Sequence, residues 1–201
     1  MICFNLRKNT VLPILLIDNY DSFTFNIVEM LRCLSETSIT IVKNDQLDFS
    51  TIGQFETILL SPGPSLPRDA GQLMEVFTQI CPTQKVLGIC LGHQAIAEFF
   101  GGRLIQLPEP RHGHTASLRL VNPHVLYEGI DMTKTRVGLY HSWTVNPDTL
   151  PPDLCMTAFS DEGHVMSLRH CTKRIHGVQF HPESFISSDG ARMLRNFLNL
   201  A

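Results

Sequence analysis

Ile14–Ile17 is an unbroken aliphatic run that gives way to the polar stretch Asp18-Asn19-Tyr20-Asp21-Ser22. Phe23, Ile27, Met30, Leu31 and Leu34 then recur at helical spacing, so the pattern predicts a short strand, a turn with Ser22 as N-cap, and a helix. Ile39–Val42 and Thr57–Leu60 are further aliphatic or β-branched runs of strand length, and Ser61-Pro62-Gly63-Pro64-Ser65 must turn. Leu73, Met74, Phe77 and Ile80 predict a helix over 71–80, followed by a buried strand over 84–89 and a helix over 90–100 closed by Gly101-Gly102. Strands alternating with helices imply parallel β-α units in an open, doubly wound sheet. Beyond Arg103 the texture changes to short strands, over 104–107, 116–121, 136–140 and 156–159. HVMSLRH and IHGVQF read as a hairpin joined through 171–174, and Met193, Leu194, Phe197 and Leu198 place a last helix over 189–200. The expected fold class is α/β, a mostly parallel sheet flanked by helices, with added antiparallel strands in the C-terminal half.

Composition narrows the function classes. The chain has 201 residues, enough for one domain with a real core, and its net charge of −3 argues against nucleic-acid binding. No apolar run nears the roughly 18 residues needed to span a membrane. Residues 1–13 read as an extension ahead of a domain over 14–201, not as a signal peptide. The cysteines at 3, 33, 81, 90, 155 and 171 form no C-x-x-C pair and no disulfide framework, which suits a reduced cytoplasmic protein. His112 and His114 are the only close histidine pair, and we read no metal site there.

Gly88-Ile89-Cys90-Leu91-Gly92 is the cysteine form of a nucleophile elbow, at the predicted strand-to-helix junction that such a turn requires. A thiolate at Cys90 would meet free backbone N–H groups at the helix start. A thiol nucleophile for acyl transfer also needs an imidazole and a group to orient it. In the extended segment GVQFHPES, His181 and Glu183 project from the same face and could supply both. A small buried cysteine and a surface histidine in a turn are the plainer readings of each stretch alone.

Together these stretches carry a resemblance. GICLGHQAI and GVQFHPES closely resemble the class I, triad glutamine amidotransferases. The blocks ILLIDNYDSFTFN, LLSPGPSLPRDAG, YHSWTV and GVQFHPESFISSDG look like anthranilate synthase component II and the glutaminase subunit of aminodeoxychorismate synthase. The resemblance covers roughly residues 14–200. It implies a flavodoxin-like sheet with the site at the carboxyl ends of the strands. It further implies hydrolysis of glutamine to glutamate and ammonia through a γ-glutamyl thioester on Cys90. His181 would be the base, Glu183 its orienter, and Gly63 and Leu91 N–H the oxyanion donors. Gly63, Pro64, Ser65, Gln94, Ser142 and Trp143 would line the glutamine site. No cofactor or metal is implied. The expected partner is a separate chorismate-using component I subunit, making anthranilate or, as the alternative, aminodeoxychorismate for p-aminobenzoate. The competing readings are a free-standing γ-glutamyl thiol hydrolase and a non-catalytic binding subunit. Two positions depart from the family pattern: Ser65 replaces the last glycine of S-P-G-P-G, and His114 replaces the lysine of H-G-K.

Overall fold

The computed structural model describes residues 13–200. The extension expected over 1–13 therefore lies, Pro13 apart, outside the described residues. The main sheet begins with β1 (Ile14–Asp18), β2 (Ile39–Lys43), β3 (Thr57–Leu60) and β4 (Lys85–Ile89). After β5 (Leu104–Ala116) come β6 (Leu118–Leu120), β7 (Val137–Val145), β8 (Leu154–Ser160), β9 (Val165–His170) and β10 (Ile175–Val178). Eight of these strands form one sheet in the order β2-β1-β3-β4-β10-β9-β8-β6, while β5 and β7 pair separately as an antiparallel ribbon. The first five strands in that order are parallel, and the β10–β9, β9–β8 and β8–β6 pairings are antiparallel.

Among the described residues there are four α-helices, α1 (Thr24–Leu34), α2 (Leu73–Val76), α3 (Leu91–Phe99) and α4 (Gly190–Leu198). Every residue of β1 is buried, as a parallel strand covered on both faces requires. Its side chains alternate between two cores: Ile14 and Leu16 join Ile27, Leu31 and Phe197 from α1 and α4, whereas Leu15 and Ile17 join Leu73 and Ile96 from α2 and α3.

Four local readings are corrected. Ser22 does not cap α1: the helix starts after Phe23, whose N–H is taken by the Asp21 carboxylate at 2.8 Å, while Asp18 accepts the Thr24 hydroxyl at 2.8 Å. The helix expected over 71–80 is only the single turn α2. Thr78 and Gln79 N–H groups reach back three residues instead of four, a tighter winding that ends just before Pro82. The separate strands expected over 104–107 and 116–121 are a long β5 with two register shifts against β7, followed after Ser117 by β6. The strand predicted over 136–140 runs on as β7 to Val145, so Ser142 lies in a strand.

Because β1, β3, β4 and β10 are parallel, the segments leaving their carboxyl ends share one edge of the sheet. Those segments are Asp18–Phe23, Ser61–Ser65, Cys90, and Gln179 to Glu183.

Candidate active site

Cys90 sits at the corner between β4 and α3 with φ +52° and ψ −98°. Such a conformation costs a non-glycine residue about 1–3 kcal/mol and persists only where its surroundings impose it. Here they do: the Cys90 N–H is tied to the Val178 carbonyl at 2.8 Å, and its own carbonyl accepts the Gln94 N–H at 3.1 Å. A Cβ at Gly88 would lie 2.4 Å from the backbone of Gly92, and one at Gly92 would lie 2.6 Å from the Leu60 carbonyl oxygen. Both elbow glycines are thus demanded by close passage of strand and helix.

His181 arrives on the strand leaving β10 and is fixed on its backbone. Its N–H donates to Gly138 at 3.0 Å, and its carbonyl accepts the Ser187 hydroxyl at 2.5 Å. Its Nδ1 meets Glu183 Oε1 at 2.7 Å, and both side chains are buried. Phe23 and Tyr140 stand edge-on to the imidazole, with centroids 5.3 Å and 5.0 Å away. Burial pushes the His181 pKa down, yet contact with Cys90 and Glu183 outweighs it and raises the value to about 10. An imidazole that keeps its proton beside a cysteine and a carboxylate is what a cysteine nucleophile needs.

Gly63, Pro64, Ser65, Cys90, Gln94, Tyr140, His141, Ser142 and Trp143 line one cleft of about 210 Å³. The six positions implied to hold glutamine therefore lie together with Cys90. Leu91 heads α3, where its N–H is among those without an intrahelical partner. The Gly63 N–H has no hydrogen-bond partner among the described residues. Gly63 is wedged in: a Cβ there would come within 2.6 Å of Asn19 and 2.7 Å of Leu91. Ser65 has φ +66°, the region that favours glycine.

Three site residues escaped the sequence reading. Gln179 is fully buried, with Nε2 3.6 Å from Cys90 Sγ and Oε1 accepting from Gln94 Nε2 at 3.2 Å. Gln94 also donates to the Trp143 carbonyl at 2.7 Å, so the two amides link the thiol to the cleft wall. A glutamine inside the apolar run Val178–Phe180 was the available signal, since a buried amide must find partners. His141 is held neutral, its pKa lowered by burial to about 4, with Nδ1 against the Trp143 carbonyl at 2.9 Å. Phe23, read as part of an apolar helix face, covers the His181 ring.

A second cleft, lined in part by Arg111, His114, Arg136, Glu162 and His164, has no cysteine in its lining. His112 nearby turns to Tyr140, ring centroids 5.7 Å apart, while His114 faces Arg111.

Residues 15–201 match the family described as glutamine amidotransferase class-I. The chain belongs to this family. Among its class I relatives, the Bacillus subtilis aminodeoxychorismate/anthranilate synthase component 2 is 40% identical over 92% of this chain and 95% of its own length. The anthranilate synthase component 2 of Mycobacterium tuberculosis (strain H37Rv) is 42% identical over 92% of this chain and 81% of its own. In three dimensions this amidotransferase is similar to a solved Thermoplasma acidophilum protein provisionally named as part of a GMP synthase. The TM-score is 0.83 at 27% identity, covering 95% of this chain and 94% of that one. Among the described residues, no helix of the amidotransferase is long and apolar enough to cross a membrane.

Proposed function

We propose that this amidotransferase, acting as one unit over residues 14–201, is the cytoplasmic glutaminase subunit of a chorismate-using synthase, with anthranilate synthase as the leading assignment. The observation that carries the reading is Cys90 on its strained elbow, backed by His181–Glu183 and opening into a cleft walled by Gln94, Ser142 and Trp143. The Cys90 thiolate attacks the glutamine side-chain carbonyl, and Gly63 and Leu91 N–H groups receive the developing oxyanion. His181 gives its proton to the departing ammonia, and Glu183 keeps the ring oriented through Nδ1. Water, deprotonated by His181, then attacks the γ-glutamyl thioester, which collapses to glutamate and restores the thiol.

The ammonia needs an acceptor, and the names of the relatives supply its class: they are component 2 subunits of synthases making anthranilate, aminodeoxychorismate or both. Two exposed phenylalanines support a partner. Phe185 is 93% exposed and Phe25 63% exposed, carried by the two segments that meet where Phe23 packs on His181.

The test is reconstitution with a chorismate-using synthase subunit of each type. Cys90→Ala should abolish product formation from glutamine and leave formation from ammonium salts intact. Equal loss of both activities would overturn the division of labour. Anthranilate against aminodeoxychorismate as the product decides the pathway. Fast glutamine hydrolysis that no synthase alters would instead favour the free-standing hydrolase.

A further inference from the structure

Cys155 and Cys171 are not used by the site above. Cys155 lies in β8 opposite Arg169 of β9, so Cys171, two residues further on, stands one diagonal away on the same face. Two contacts draw Cys171 toward β8: its N–H donates to the Asp153 carbonyl at 2.8 Å, and its thiol lies 3.4 Å from the Pro152 carbonyl. The two sulfurs are 3.1 Å apart, about 1 Å beyond the ~2.05 Å of a disulfide bond. Cys171 is exposed and Cys155 partly so, whereas Cys90 is buried.

We propose that Cys155 and Cys171 are a redox pair that reacts with small disulfides of the glutathione class to form a reversible intramolecular disulfide. One cysteine thiolate attacks the small disulfide, giving a mixed disulfide and expelling a small thiolate, which takes up the proton the cysteine lost. The second cysteine, as its thiolate, attacks the protein-side sulfur of that adduct and expels the other small thiol. Two protein thiols are oxidised while one small disulfide is reduced to two thiols. Because the sulfurs already touch, the second step is intramolecular and outruns accumulation of the adduct.

The location keeps this chemistry away from glutamine. β9 runs antiparallel to β10, so the 171–174 turn stands at the start of β10, and His181 follows its other end. The pair therefore offers an oxidant an accessible target at the sheet edge remote from Cys90.

The test is exposure of the full chain to excess oxidised glutathione, followed by non-reducing peptide mapping by mass spectrometry. The expected product links the Cys155 and Cys171 peptides with a loss of about 2 Da, the two hydrogens removed, and dithiothreitol reverses it. Exposed Cys33 of α1 should carry a glutathione adduct in the same sample. In Cys155→Ser the reaction should stop at a stable adduct on Cys171. A glutathione adduct that persists on Cys171 of the unaltered chain, as on Cys33, would overturn the proposal. A link from Cys171 to any other cysteine would overturn it equally.

Discussion

Ser65 offers the sharpest test of how backbone strain governs the cleft. Its φ of +66° puts a β-carbon where glycine is preferred, and its exposed side chain makes no hydrogen bond among the described residues. Ser65→Gly therefore removes strain without removing a contact. The left-handed conformation costs an ordinary residue about 1–2 kcal/mol, and glycine returns roughly 0.5–1 kcal/mol as unfolded-state entropy. The net stabilisation is about 0.5–1 kcal/mol, or a rise in Tm of roughly 1–4 °C for a chain of this size. The same difference bears on turnover, because Ser61–Ser65 carries the Gly63 N–H that we propose receives the oxyanion and so must be aimed before it forms. If relief of strain populates that geometry in the free subunit, glutamate release by the isolated chain rises about 2- to 5-fold. The synthase partner, which would otherwise fix the turn, should then add correspondingly less. Calorimetry and steady-state glutaminase rates, each with and without the synthase, measure both effects. A variant with lower Tm, or with unchanged turnover alone and an undiminished response to the partner, refutes the reasoning.

Other positions give equally direct expectations. In Glu183→Gln one negative neighbour of His181 is lost, so the imidazolium that now survives to about pH 10 gives up its proton at lower pH. The alkaline limb of the kcat/KM profile should move down, with a smaller rate loss than the roughly 10²- to 10⁴-fold fall expected for His181→Ala; an alkaline limb that stays in place would remove Glu183 from its role. Gln179→Leu deletes the amide that donates to Cys90 Sγ and braces Gln94. Alkylation of Cys90 by iodoacetamide at fixed pH should slow about 10-fold, as loss of a hydrogen bond to a charged group implies, and an unchanged rate would reduce Gln179 to packing.

The sheet was legible because its parallel strands are aliphatic on both faces: β1, β3 and β4 each read as short runs of Ile, Leu and Val bounded by turns. The strained elbow at Cys90 and the His181–Glu183 pair were legible because the proposed chemistry demands a local pattern for each, two glycines around the cysteine and an extended H-x-E. What hid from the sequence depends on distance along the chain. The spacing of Leu73, Phe77 and Ile80 suits a full α-helix, yet the chain tightens after Val76 ahead of Pro82, where Phe77 stacks on Phe99 of α3 at 4.8 Å. Gln179 reads as an interruption in an apolar strand until Gln94, 85 positions away, is brought beside it. The contact between Phe23 and His181 joins segments that nothing in their spacing relates.

Strain itself is distributed in a way that helps to explain the site. Among the described residues, only Tyr20, Ser65 and Cys90 are non-glycine residues with positive φ. They follow the carboxyl ends of β1, β3 and β4, three neighbouring parallel strands. Tyr20 and Cys90 are held by the structure behind them, and Ser65 closes a turn that is itself tied down. Tyr20 N–H is bound by Asp18, whose carboxylate also takes Lys43 Nζ at 2.5 Å. Asn19 ties that loop to Ser61 through both its backbone and its side-chain N–H, each at 2.8 Å. Asn19 in turn crowds Gly63, whose other neighbour is Leu91, the residue after the nucleophile. The three strained positions are thus joined by contacts running from the β1 loop through the proline-rich turn to the elbow. Rigid, fully buried strands on one side make such conformations affordable on the other. A change at the β1 loop consequently reaches Cys90 through two packed contacts, and that loop carries the exposed aromatic residue Tyr20 and lies next to Phe25. A partner bound there would press on the same chain of contacts that holds Gly63 and Leu91, the two residues we propose as oxyanion donors.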